Sequence, residues 1–369
     1  MTLERKVLLE NLKLAMPGIE SGNVVLQGSD SFVFHNGKLF TYNDLVAVLV
    51  PIDSIGLVDD DIEGAVHAKE FYNVVSKFTN DEITLSVKDD HTWELKCGRA
   101  KASLTLLDFD FKTRLDGVSP DDNAWVDLDN DFIDGVAICK MGNNKSNLSG
   151  IYVNDKNILS TDSYQINLYT MKNSLPKFWI SDSSVNELLK IKNFKKVQVS
   201  KTWVHFKTED GVVFSLKTLN DVNYPYTKIM NLVNNSNPSE NDFHATFPSS
   251  LFKSVDIADS FAISMVDQSV VRLVLSNEGI EVSSEKNSGS YLEMIPWDKP
   301  LEKEIEPTKL YVNPSMMSAM GTRSLEFYLI HLLAKNGKIM PRILFVTESS
   351  KHIMAAFNEP STKENKEEK

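Results

Sequence analysis

The sequence predicts an α+β fold in which one unit, an antiparallel sheet with two helices, is written three times. Three observations predict it. A helical pattern opens each third of the 369-residue chain, a strand–turn–strand–turn–strand passage follows, and a short helix with several more strands closes the unit. The expected domains are residues 1–121, 122–240 and 241–357, with a disordered charged tail over 358–369.

The opening helices are expected over Glu4–Met16, with Leu8, Leu12 and Ala15 on one face, near Asp131–Met141, and near Pro248–Phe261. Pro17-Gly18 stops the first. The strand passages run Ser31–Ile52, Ser149–Met171 and Val270–Ile295. In each, an alternating strand breaks at a hairpin signal: Asn36-Gly37, Asn154-Asp155, or Asn277-Glu278-Gly279. A second strand then reaches Tyr42-Asn43-Asp44, Thr161-Asp162-Ser163 or Ser283-Ser284-Glu285 before the chain turns again. The short helices fall within Ala65–Phe78, Phe178–Ile191 and Leu310–Gly321, with Ser181 or Asp182 and Asn313 as caps and Pro314 suited to a first helical position. Closing strands occupy Glu82–Leu107, Lys195–Leu219 and Leu325–Phe357, and the polar stretches Leu115–Asn123 and Asn234–Asp242 read as seams.

Composition bounds the function. Hydrophobic residues at 42% and charged residues at 24% describe a soluble globular chain and exclude wholesale disorder. No window approaches about 18 uncharged apolar residues, so no membrane partner is expected, and the charged N-terminal run is unlike a secretory signal. Cys97 and Cys139 cannot build a disulfide framework, which places the chain in a reducing cytoplasm. A net charge of −12 argues against nucleic acid only weakly, because it says nothing of where the 39 cations sit.

A search for catalytic groups returns nothing, and no catalytic site, metal or cofactor is expected. The seven histidines form no ligand spacing, and there is no nucleophile elbow, phosphate loop or dinucleotide fingerprint. Asp127, Asp129, Asp131 and Asp134 resemble a calcium loop, but Phe132 and Ile138 stand where Gly and Glu are required, so a solvated acidic run beside a helix is the better reading. The cations are more informative. Arg5, Lys6, Lys13, Lys69, Lys77, Lys140, Lys145, Lys190, Lys192, Lys195, Lys196, Lys253 and Arg323 recur in or beside the helices while acids gather in loops. Helices presenting lysine in this way would hold duplex phosphates without reading bases.

At this point the sequence resembles a family, the bacterial β sliding clamp of DNA polymerase III. Leu95–Phe111 is similar to that family's Gly-Arg-x-Lys/Arg-x-Ser-Leu strand run, at Gly98, Arg99, Lys101, Ser103 and Leu104. Leu148–Met171 resembles the middle domain's hairpin, and Phe214–Met230 the strand with the Phe-Pro-acid-Tyr segment that follows. The likeness runs in order almost to Phe357. It implies a non-enzymatic processivity factor of DNA replication, a homodimeric ring of six domains with sheets outside and the helix cations lining a central channel around double-stranded DNA. It also implies a pocket between the second and third domains for short peptide motifs of the polymerase and clamp loader. Carried over residue by residue, that pocket comprises Leu148, Thr161, Ile166, Pro225, Ile229, Asn313, Met316, Met340 and Met354. The ring interface would set Arg99, Lys101 and Leu104 against Phe261 and Ile263 of a second chain.

The sequence departs from the family at three places. Ser163-Tyr164-Gln165 replaces the usual Gly-His-Arg, Glu20 stands where arginine commonly meets DNA, and Ala355-Ala356-Phe357 runs into a charged tail. These fit a divergent member. The alternative is a repeat-built structural or adhesion protein, such as a phage-particle component, that shares only the architecture.

Overall fold

A computed structural model describes residues 2–20, 22, 26–51, 53, 63–121, 123–140, 147–220, 223–265, 268–321, 325–333 and 339–357. The first third contains β1 (Thr2–Glu4), α1 (Arg5–Ala15), β2 (Ser31–His35), β3 (Lys38–Tyr42), β4 (Val46–Pro51), β5 (Gly64–His67), α2 (Ala68–Lys77), β6 (Glu82–Asp89), β7 (Thr92–Cys97), β8 (Ala100–Thr105) and α3 (Lys112–Val118). The second contains β9 (Val126–Asp127), α4 (Asp131–Cys139), β10 (Ile151–Thr161), β11 (Gln165–Ile180), α5 (Asp182–Leu188), β12 (Phe194–Val199), β13 (Trp203–Thr208), β14 (Val213–Lys217) and α6 (Tyr226–Asn235). The last contains β15 (Phe243–Thr246), α7 (Ser250–Asp259), β16 (Ile263–Met265), β17 (Gln268–Leu275), β18 (Ile280–Lys286), β19 (Gly289–Ile295), β20 (Thr308–Val312), α8 (Pro314–Gly321), β21 (Glu326–Leu333), β22 (Ile339–Val346) and β23 (Ser350–Ala355).

Local chemistry explains most of these boundaries. Asn36 and Gly37, both at positive φ, make the first hairpin turn between β2 and β3. Asn43 Oδ1 accepts from the backbone N–H of Leu45 and Val46, and Asp162 Oδ1 accepts likewise from Tyr164 and Gln165, so two repeats end their second strand on the same side-chain-locked turn. Ser181 caps α5 by accepting from Ser184 N–H, and Asn313 caps α8 through Met316 N–H. Two expectations change. The hairpin at Asn154-Asp155 does not interrupt β10, which passes through Asp155 with φ 56. The seam at Leu115–Asn123 begins as helix, because Leu115 and Val118 bury themselves in an apolar cluster with Val33, Phe40 and Leu49.

Packing divides the chain into two compact units, described separately. Unit 1 holds residues 1–142, 150–157 and 171–222, and unit 2 holds residues 143–149, 158–170 and 223–369.

In unit 1, one four-stranded sheet has the order β1-β6-β7-β8, and an eight-stranded sheet has the order β5-β2-β3-β4-β14-β13-β12-β9. The larger sheet joins strands of the first third to closing strands of the second, through antiparallel pairs such as Val48↔Phe214 and Val46↔Leu216. An aromatic cluster of Phe132, Phe178, Phe194 and Phe206 fills one face of it, with ring centroids 5.4–6.3 Å apart.

In unit 2, a five-stranded sheet carries β16-β17-β18-β19 with β20 beside β17. The six-stranded order is β10-β11-β23-β22-β21-β15, in which Gln165↔Met354 and Asn167↔His352 join the second third to the last. The core of this unit centres on Phe247, Leu251, Val255, Phe327, Phe345 and Met354.

Candidate functional site

Of the described cations, Arg5, Lys6, Lys13, Lys69, Lys77 and Lys253 lie on helices, Lys140, Lys190 and Lys192 just beyond helix ends, and Lys195 and Lys196 on β12. Lys6, Lys13, Lys69, Lys77, Lys140, Lys192, Lys195, Lys196 and Lys253 are exposed. Arg5 is half-buried and donates Nε–H to the Asn80 carbonyl at 3.1 Å, and Lys190 pairs with Glu187 at 2.7 Å. Lys190, Lys192 and Lys195 line one cleft of unit 1 together with Leu14, so the end of α1 meets there the chain that leads from α5 into β12. Lys145 and Arg323 lie outside the described residues.

The proposed pocket residues all fall in unit 2, but they differ in accessibility. Leu148, Pro225, Asn313 and Met340 are partly exposed, whereas Thr161, Ile166, Ile229 and Met316 are buried. Met354 is 0% exposed within the core of the last third, so its side chain is a support and not a lining group. Thr161 Oγ1–H donates to the Gln165 carbonyl inside its own turn, and Asn313 Nδ2 donates to Gln268 Oε1 at 2.9 Å. Tyr164, one of the departures from the family pattern, lies beside Phe357 with ring centroids 5.9 Å apart and planes tilted by 54°, and its carbonyl accepts from Ala355 N–H.

The proposed interface residues lie on or beside strands that end their sheets. Arg99 and Lys101 are exposed at the start of β8, which ends the four-stranded sheet of unit 1, and Leu104 faces inward opposite Trp93. Ile263 pairs with Val270 from β16, which ends the corresponding sheet of unit 2 on one side; the strand that ends it on the other is β19. Phe261 packs over it: a side chain placed on Gly289 would come within 2.7 Å of the Phe261 ring. Leu292 on β19 is 69% exposed and Met294 53%, which is unusual for large apolar groups on a strand. Nothing in the order of residues distinguishes β19 from a strand paired on both sides; only the lack of a second neighbour among the described residues does.

The acidic run has partners. Asp131 Oδ2 accepts from Lys172 N–H at 3.0 Å and Asp129 from the Asn173 amide, so these carboxylates tie α4 to β11 and are not merely solvated. No group of three or more His, Cys, Asp or Glu able to hold a metal occurs among the described residues, and none of their helices is long and apolar enough to cross a membrane.

His205 is fully buried in unit 1, between the Ser215 hydroxyl at 2.8 Å and the Ser200 hydroxyl at 3.3 Å. Burial pushes its pKa down to about 4, so the folded ring stays neutral while the unfolded chain takes up a proton near 6.5. Stability from this group is therefore complete above pH 6.5 and falls as pH drops toward 4. Urea unfolding at pH 7 and pH 5 should show the wild type losing about 2 kcal/mol more than His205→Gln over that interval. Parallel losses in the two proteins would contradict it.

Comparison with solved structures identifies the fold. The chain is similar to the DNA polymerase sliding clamp of Bacillus subtilis, with a TM-score of 0.73 and 18% identity over 97% of this chain and 99% of that one. The beta subunit of DNA polymerase of Streptococcus pyogenes matches with a TM-score of 0.76 and 18% identity, again over 97% and 99%. A Helicobacter pylori beta clamp bound to a DNA ligase peptide matches with a TM-score of 0.72 and 16% identity over the same shares. No family model matches the chain, and no curated protein sequence matches it.

Proposed function

We propose that this chain, which has the sliding-clamp fold, works as a DNA sliding clamp. In this reading two copies join head to tail, encircle duplex DNA without reading its sequence, and tether a polymerase and other replication partners by short peptides. The protein itself performs no chemistry. Partner peptides would seat on Leu148, Pro225, Asn313 and Met340 over the buried Ile166, Ile229 and Met316, in keeping with the ligase peptide bound to the similar Helicobacter pylori clamp.

The observation that carries the reading is a joint made twice within the chain and left open a third time. The last closing strand of each of the two later thirds, β14 and β23, adds to the hairpin sheet of the third before it, at β4 and β11. The corresponding strands β8 and β19 end their sheets without a neighbour among the described residues. A second copy, supplied head to tail, would complete the series by strand addition.

The repeats even indicate the register. Thr41 Oγ1–H donates to the Ala15 carbonyl and Ser284 Oγ–H to the Ala258 carbonyl, each across 26 residues, and their strand partners are Val48 and Tyr291. Tyr291 thus holds the place of Val48, whose partner is Phe214. Across the closing sheets, the row Val197–Phe206–Phe214 corresponds to Leu85–Leu95–Ala102, so Ala102 holds the place of Phe214. Tyr291 would then face Ala102 of the second copy, with Ser290 opposite Ser103 and Leu292 opposite Lys101.

Sedimentation and retention on DNA test the reading. The purified chain is expected to sediment as a dimer of twice 41.5 kDa and, once loaded, to stay on circular DNA and slide off linear DNA of the same sequence. A stable monomer, or equal loss from both DNAs, would overturn it.

A further inference from the structure

A basic cleft lies where three stretches of unit 1 meet: the end of β11, the turn between β12 and β13, and the chain leaving β14. It has a volume of about 390 Å³ and is lined by Lys177, Lys201 and Lys217 together with Ser200, Thr202 and Thr218. No carboxylate lines it among the described residues, although the chain carries 51 acidic residues against 39 basic ones. Main-chain bonds hold its shape. Leu219 N–H donates to the Trp179 carbonyl at 2.7 Å, and Thr218 N–H to the Thr202 carbonyl at 2.9 Å. Phe178 and Trp179 are buried beneath, while all three lysines are exposed.

The cleft has a basic neighbour. Helix α5 begins at Asp182, directly after β11, and ends at Leu188, just before Lys190, Lys192 and Lys195 of the second cleft. That second cleft also holds Glu209 and Asp210, so it is the weaker of the two. Strand β12 also joins them, with Lys195 in the second cleft and Val199 in the first, about 13 Å apart, a length over which one nucleic-acid strand places about four phosphates. A single small anion would occupy one cleft, whereas a polymer of regularly spaced charge meets both. A cleft of this volume admits one sugar–phosphate backbone, and a flexible single strand, unlike a duplex with a persistence length of about 50 nm, can bend to follow both clefts over a short span.

We infer that the Lys177–Lys201–Lys217 cleft binds the phosphates of a single nucleic-acid strand running along α5 toward Lys190–Lys195. The inference rests on the nucleic-acid reading above and adds to it a site for unpaired DNA whose three lysines, Lys177, Lys201 and Lys217, lie outside the cations that the sequence singles out. Lysine supplies charge, and Thr202 and Thr218 supply the hydroxyl donors that phosphate contacts commonly use.

The test measures binding of a fluorescent single-stranded oligonucleotide, and of its duplex, to the full chain between 50 and 200 mM salt. Replacing the three lysines together with alanine should reduce the slope of log K against log salt by about 2 for the single strand. The same substitution should leave the duplex slope nearly unchanged, and the triple Lys→Arg variant should restore the single-strand slope. An unchanged single-strand slope, an equal change for duplex, or displacement of the strand by tripolyphosphate at matched charge would each overturn the inference. Failure of the clamp reading is distinguished by the wild type, through loss of the dimer or of retention on circular DNA.

Discussion

Oxidised Ser103→Cys/Ser290→Cys protein should run on a non-reducing denaturing gel as a covalent dimer, at twice 41.5 kDa or as a slower circular species. The register carried over from the two closed joints sets these residues directly opposite one another across two chains. Opposed residues of antiparallel strands have Cα atoms about 4.5–5.5 Å apart, which is within disulfide reach. Both serines are exposed, so neither substitution disturbs a core. The native thiols, Cys97 and Cys139, are buried and do not compete. Each single variant should stay monomeric on the gel. So should Ser103→Cys/Leu292→Cys, which is slipped by two residues to a diagonal of about 7–8 Å. Cross-linking by the slipped pair alone would establish another register, and none by either pair, with a monomer in solution, would remove the head-to-tail joint.

Phe206→Ala should lower the stability of the chain by about 3–5 kcal/mol, read as an earlier denaturant midpoint for unit 1. Phe206 is 0% exposed at the centre of the eight-stranded sheet, with Phe132 5.5 Å and Phe194 5.4 Å away between ring centroids. Removing it leaves a cavity that β12, β13 and β14, held in their ladder, cannot close. Because β14 also pairs with β4, the loss should reach the joint between the first and second thirds. A change below about 1 kcal/mol would mean that the site relaxes around the void.

The repeated unit was legible because each copy carries the same punctuation. Asn36-Gly37, Asn43 and Asp162, Ser181, and Asn313-Pro314 do locally what their side chains favour, and those bonds form within a few residues. The basic helix faces could be read for the same reason, since lysine spacing on a helix is a local property. The cleft of Lys177, Lys201 and Lys217 could not, because its three lysines come from strand ends and a turn far apart in sequence. The accessibility of the proposed pocket residues was not legible. An apolar residue looks the same in a list whether it is half-exposed like Met340 or sealed like Met354. Likewise, the polar stretch at Leu115–Asn123 concealed α3, whose helical turn is held by Leu115 and Val118 docking on a distant sheet.

By itself, then, the sequence determined the threefold α+β plan and most of its turns and caps, and it placed Arg5, Lys6, Lys13, Lys69, Lys77 and Lys253 on helices. Periodicity and capping depend on neighbours a few residues away, so a single strand of text contains them. Tertiary structure alone decided that the first two hairpin sheets are each completed by the following third and that β8 and β19 end their sheets with no second neighbour among the described residues. Strand pairing is a contract between backbones distant along the chain: any strand's N–H and C=O groups can meet any other's, and only the packed fold leaves particular edges open.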